Sequence, residues 1–135
     1  FIPVQEYPLM TMTTVSTHDS DTLQLWWRHS PKEAKLYASF KGWPYEPFLS
    51  SEYHEQILRD SHHSGSLLHI NLLQEYLALF PELVCKNPHN ERINIPGKVL
   101  DTNWTYRFKP TIEKIISHIP LREKITSILK DNQLS

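Results

Sequence analysis

Two adjacent residues, His18 and Asp19, are the first in the chain whose types and position invite chemistry. They close a run rich in Thr and Val. A carboxylate beside an imidazole at the carboxyl end of a strand can hold a negative charge and a hydrogen-bond donor against a substrate, at the rim where α/β barrels build their sites. The same pair has a plainer reading, with Asp19 as the N-cap of the following helix and His18 as a turn residue. Eight histidines raise the question of a metal, and His54, His62 and His63 lie near one another on a polar stretch. His54 and His62 are two helical turns apart, and the adjacent His62 and His63 point in different directions, so the expectation is a solvated face and no metal. Four tryptophans offer flat apolar faces that stack on sugar rings or fill a core. Trp26 and Trp27 are assigned to the core. Trp43 and Trp104 lie in irregular segments, where binding a ligand and anchoring a loop are both open. The single cysteine, Cys85, has no partner for an internal disulfide or a cysteine metal site and no evident base beside it, so it is read as buried or inert.

Composition narrows the classes of partner. The chain is 39% hydrophobic and 21% charged, in the globular range, and no apolar run approaches the roughly 20 residues that span a bilayer. Fourteen Lys and Arg against fifteen Asp and Glu leave no electrostatic footprint for nucleic acid or an anionic membrane. A neutral substrate fits such a surface better, and sparse cysteine makes a reducing, cytoplasmic setting the default. The 135 residues would suit one domain, although the opening FIPVQEYPLM lacks both an initiator Met and a secretory signal and reads like the middle of a longer chain.

The elements that must position these residues follow from periodicity and breakers. Thr11 to Thr17 is dense in β-branched residues and predicts a buried strand, ending at His18 and Asp19. SDTLQLWWRH then reads as a helix capped by Asp19 or Ser20. Pro31 opens another helix, PKEAKLYASFKG, which Gly42 stops, and Ser50 or Ser51 caps the polar, surface helix SEYHEQILRDSHH. Ser66 to Ile70 predicts a second strand. Asn71 with Gln74 three residues on forms a capping-box pattern for the helix LLQEYLALF. Pro81 to Lys109 has no clean period and predicts an ordered loop, after which Ile112, Ile115, Ile116 and Ile119, then Leu121, Ile125, Ile128 and Leu129, mark two terminal helices. Strand, helical excursion, strand and helix is α/β grammar with parallel strands, in one unit over 1–135. Two parallel strands need neighbours on both edges, so the sequence implies further strands, and the isolated chain is expected to fold poorly or aggregate.

Two longer strings carry a resemblance. STHDSDTLQLWW (16–27) resembles the seventh-strand signature of the amylomaltases, and ERINIPGKVLDTNWTYRFKP (91–110) resembles their C-terminal signature after strand eight. Between them LLQEYLALF is similar to that family's post-strand segment, with Glu75 where the family carries Asp. The three segments occur in the family's order over nearly the whole chain. The resemblance implies a (β/α)₈ barrel of the α-amylase clan to which this chain contributes strands seven and eight with their helices. It further implies retaining 4-α-glucanotransferase activity on maltooligosaccharides, with no cofactor. The nucleophilic Asp and the acid/base Glu would lie on strands four and five, upstream of Phe1, leaving the isolated chain inactive. Asp19 would be the third carboxylate, stabilising the transition state, and His18 would donate a hydrogen bond to the same sugar. Asn103 would reach the substrate groove, a loop-fixing amide being the other reading, while Arg92, Asn94, Trp104 and Arg107 pin the C-terminal segment over the barrel. Against this stands a non-catalytic carbohydrate-binding or structural α/β domain, in which Trp43 or Trp104 is a platform or His18-Asp19 only caps a helix.

Overall fold

The computed structural model describes residues 1–130 of the 135, so the last five residues of the expected unit lie outside the described ones. Two short strands, β1 (Met12–Thr13) and β2 (Leu68–His69), pair in parallel with Met12 opposite Leu68. Both expected β segments are therefore present and side by side, although each is cut to two residues. Around the ladder, Leu67 donates to the Leu9 carbonyl at 2.8 Å and Ile70 to the Thr13 carbonyl at 3.0 Å, so the chains run together further than the regular pairing. Backbone hydrogen bonds from a single neighbour regularise only a short stretch, which is the physical reason for the shortening.

Three helices fill the crossover: α1 (Leu23–His29), α2 (Pro31–Lys41) and α3 (Ser51–His62). Pro31 begins α2 and Gly42 ends it in the left-handed conformation, its N–H returning to Ala38 and Ser39. Ser50 caps α3 by accepting from the Tyr53 amide. The expectation that α3 is a solvated surface helix needs correction, because His54, Ile57, Leu58 and Ser61 are buried. The polar count of SEYHEQILRDSHH concealed an inner face on which His54 is wholly enclosed. After β2 come α4 (Leu73–Leu77), α5 (Ile112–Ser117) and α6 (Ile119–Lys130). Asn71 does not cap α4; Leu72 holds that position without a side-chain bond, and the Asn71 side-chain Oδ1 instead accepts from the Val15 amide at 2.9 Å. A tertiary donor has outcompeted the local cap.

The core lies between the helices and behind the strands. Leu23, Trp27, Ala34, Ala38, Leu49 and Ile57 make one cluster, with the Trp27 indole nitrogen donating to the Glu46 carbonyl at 2.9 Å. Trp27 is core as expected and Trp26 is half-buried against it. Trp43 stacks flat on Tyr53 at 4.2 Å, an anchor for the loop that carries it. Leu58, Leu79 and Ile128 join α3 to α6, and an ion-pair chain from Lys124 through Glu55 to Arg59 runs beside them, with both N···O distances 2.7 Å. The two terminal stripes differ: Leu121 and Ile128 are buried, whereas Ile112, Ile116 and Ile119 stay exposed. The loop over 81–109 is ordered around one buried carboxylate. Glu91 accepts from the Cys85 amide at 2.6 Å and the Tyr106 hydroxyl at 2.7 Å, while its carbonyl accepts from Gln74 at 2.6 Å. Burial and Glu91 together push the Tyr106 hydroxyl and the Cys85 thiol above their ordinary values, which suits an inert thiol. Among the described residues no helix is long and apolar enough to cross a membrane.

Candidate active site

The residues between β1 and α1 form a tight polar turn. Thr17 donates its amide to the Ser20 hydroxyl at 2.9 Å, and Ser20 returns its own amide to the Thr17 carbonyl at 3.2 Å. His18 and Asp19 occupy the crest of that turn at the carboxyl side of the strand, half exposed, with His18 Nε2 3.4 Å from Asp19 Oδ2. Neither Asp19 nor Ser20 caps α1. Thr22 holds the N-cap position with no side-chain bond of its own, so the crest is free of the capping duty that the plainer reading gave it.

The second string folds across the first. Asn94 donates its side-chain amide to Asp19 Oδ1 at 2.7 Å and its backbone N–H to the His18 carbonyl at 3.1 Å. Arg92 pairs with Asp21 and adds donors to the Asn94 carbonyl at 2.8 Å and the Asp19 carbonyl at 3.4 Å. Asp21 in turn takes His29 Nδ1 at 2.9 Å. The Asp19 carboxylate therefore has one oxygen fixed by an amide and the other beside an imidazole. Trp104, 65% exposed, lies against His18 with ring centroids 5.3 Å apart, and its backbone sits at φ 64°, a region side chains seldom occupy. Its amide is tied to the Ile93 carbonyl at 2.8 Å, which holds the unusual conformation in place. Asn103 spends both ends of its amide inside this segment: Oδ1 accepts from Ile95 at 3.1 Å and Nδ2 donates to the Lys98 carbonyl at 2.9 Å. Of the four residues expected to pin the segment, Arg92, Asn94 and Trp104 lie against the His18-Asp19 turn, and Arg107 is exposed.

Below the turn lies a buried polar cluster that sequence reading missed. Glu75, 1% exposed, accepts from the Ser16 hydroxyl and, at 3.1 Å, from the Leu23 amide at the start of α1. Its other oxygen is 3.2 Å from Nε2 of the fully buried His54. The available signal was Glu75 itself, an acid among the apolar residues of LLQEYLALF. Among the described residues no group of three or more His, Cys, Asp or Glu is gathered for a metal. A cavity of about 590 Å³ is lined by Val15, Asp21, Trp26, Tyr37 and Asp60 among others. Ser20 and Asp21 of the turn line it, and Asp19 does not.

A turn that presents one charge, one imidazole and one exposed indole, braced by an amide and a guanidinium, can bind a polyhydroxylated ring and stabilise positive charge on it. Comparison with known proteins gives the family of the chain. The family model described as 4-alpha-glucanotransferase, of glycoside hydrolase family 77, matches residues 1–113. A 4-alpha-glucanotransferase of Chlamydia muridarum is 48% identical over 128 residues, covering 95% of this chain and 24% of that protein. Its counterpart in Chlamydia caviae is 50% identical over the same length. Among solved structures, an amylomaltase from Streptococcus agalactiae in complex with acarbose superposes with a TM-score of 0.65 at 24% identity, over 94% of this chain and 22% of that one. The chain thus spans about a quarter of the length of the curated relatives it matches.

Proposed function

Because this chain belongs to glycoside hydrolase family 77, the 4-α-glucanotransferases, we propose that it is the C-terminal part of such an enzyme's barrel and supplies one of its three catalytic carboxylates. Residues 1–135 act as one unit, with β1 and β2 as strands seven and eight. The reaction is retaining transfer of an α-1,4-glucan segment to a glucose or glucan acceptor, in the cytoplasm. A nucleophilic Asp and an acid/base Glu outside this chain break and remake the glycosidic bond.

Asp19 is the third acid. As the leaving group departs, the sugar gains positive charge at the anomeric carbon and ring oxygen, and a fixed anion beside the ring then interacts more strongly than it did with the neutral ground state. The observation that carries this role is the pair of contacts at Asp19: Oδ1 locked by Asn94 at 2.7 Å, Oδ2 left open next to His18. A carboxylate already held in place does not reorganise when the charge appears. His18 offers a hydrogen bond to the same ring and is itself backed by the Trp104 face. Asn103 supports the groove by shaping the 95–103 loop, since both ends of its amide are engaged there.

The test is Asp19→Asn in the full-length enzyme, a change that keeps shape and removes charge. Glucan disproportionation is expected to fall about a hundredfold or more, with the unfolding midpoint near that of the parent. A rate near the parental one removes Asp19 from the mechanism.

A further inference from the structure

Glu75 lies in α4, directly beyond β2, and is almost completely enclosed. Taking a carboxylate out of water is costly unless donors compensate, and Glu75 sits in the first turn of its helix with its side chain buried. The donors come from a different element. Oε1 accepts from Ser16, three residues before Asp19, and from the amide of Leu23, four residues after it. One oxygen thus draws together both ends of the loop whose crest is His18-Asp19.

The second oxygen faces His54 Nε2 at 3.2 Å, and no other partner is found for either atom among the described residues. Gln24 of α1 approaches His54 Nδ1 with its side-chain amide at 3.3 Å. That donor leaves Nε2 to carry the ring proton toward Glu75, so α1, α3 and α4 meet at one acid. Asn71, from the same connection as Glu75, takes the Val15 amide just upstream.

We propose that Glu75 is a positioning residue for Asp19: it acts through the loop, setting where the carboxylate stands without touching the sugar. The inference depends on the role given to Asp19 above. Stabilisation of a developing charge is sensitive to displacements of about half an ångström to an ångström, so a loop whose ends drift loses rate more than binding.

The experiment is a double-mutant cycle in the full-length enzyme, with active sites counted so that unfolded protein does not enter kcat. Glu75→Gln places a donor where either His54 or the Ser16 and Leu23 pair already donates. It is expected to lower kcat roughly tenfold to a hundredfold, with KM within about threefold of the parent. In the Asp19→Asn background the same change is expected to cost less than about threefold more, because the group being positioned is already disabled. A kcat within about twofold of the parent, or losses that multiply, overturns the proposal. If Glu75→Gln yields no folded enzyme, Ser16→Ala, which removes one donor and no charge, is read in the same cycle. It is expected to lose about threefold to tenfold, again without multiplying, and the opposite result overturns the proposal. Should Asp19→Asn itself keep the parental rate, the catalytic reading falls and takes this one with it. If Asp19→Asn is disabled and the losses multiply, only the positioning role of Glu75 falls.

Discussion

Asp19 and Trp104 illustrate how much one residue's neighbours decide. An amide fixes one oxygen of the carboxylate, and the exposed indole sits on a backbone held where few side chains go. These two properties of Trp104 can be separated. Trp104→Ala removes the aromatic face and is expected to raise KM for maltooligosaccharides about threefold to tenfold, in line with the worth of a ring contact. Trp104→Gly removes the same face but accommodates φ 64° without a Cβ clash. Its unfolding free energy is therefore expected to exceed that of the alanine variant by about 1 kcal/mol, measured by denaturant titration. Equal stability of the two variants would show that the conformation carries no strain. The turn that carries His18 and Asp19 was legible in the sequence because its signature is local. Asn94 was legible only as a pin for its segment, since its hydrogen bond to Asp19 spans 75 residues and no spacing rule reaches that far.

Elements were readable where local chemistry ends them and unreadable where tertiary partners do. Pro31, Gly42 and Ser50 set the limits of α2 and the start of α3 as their types require. Asn71 and Asp19 look like caps and are not, because the Val15 amide claims one and the Asn94 amide the other. His54 was misread for a related reason: a polar helix can still turn a histidine inward when a buried acid on another element meets it. The turn at Gly65, between α3 and β2, makes the sharpest prediction at this scale. A Cβ there would sit 2.5 Å from the Tyr7 carbonyl oxygen and 2.7 Å from that of Gln5, both backbone atoms that cannot step aside. Gly65→Ala is expected to destabilise the protein by roughly 1–3 kcal/mol and to free the segment around Val4, whose carbonyl now accepts from the Gly65 amide at 2.9 Å. Thermal unfolding together with amide exchange at Gln5 to Tyr7 checks both effects, and unchanged protection there would contradict the account.

Across the molecule, acid is expected to destabilise the fold. Burial, then the nearby His69 and His63, lowers the His62 imidazole to about 4, while the unfolded chain takes up that proton near the ordinary value of about 6.5. The unfolded state therefore binds more protons in this window, so stability is full above it and declines as pH drops from about 6.5 toward 4. Glu55 works in the same direction: although burial opposes the shift, Lys124 and Arg59 hold it below the usual carboxylate range, and that contribution is lost on protonation. Urea unfolding at pH 7 and pH 5 should show the lower midpoint at pH 5, and a flat or rising profile would contradict it. In and beside the strands Leu9, Met10, Leu67, Leu68 and Ile70 are uncovered, apolar surface of the kind the proposed remainder of a barrel would close. Glu75 also constrains the length of the loop whose ends it holds. With Ser16 and Leu23 gathered at the same oxygen, a residue added between them would have to bulge outward to keep both contacts. The stretch around Gly97, Lys98 and Val99 faces solvent by contrast, and its brace is the Asn103 side chain, which spans from the Ile95 amide to the Lys98 carbonyl.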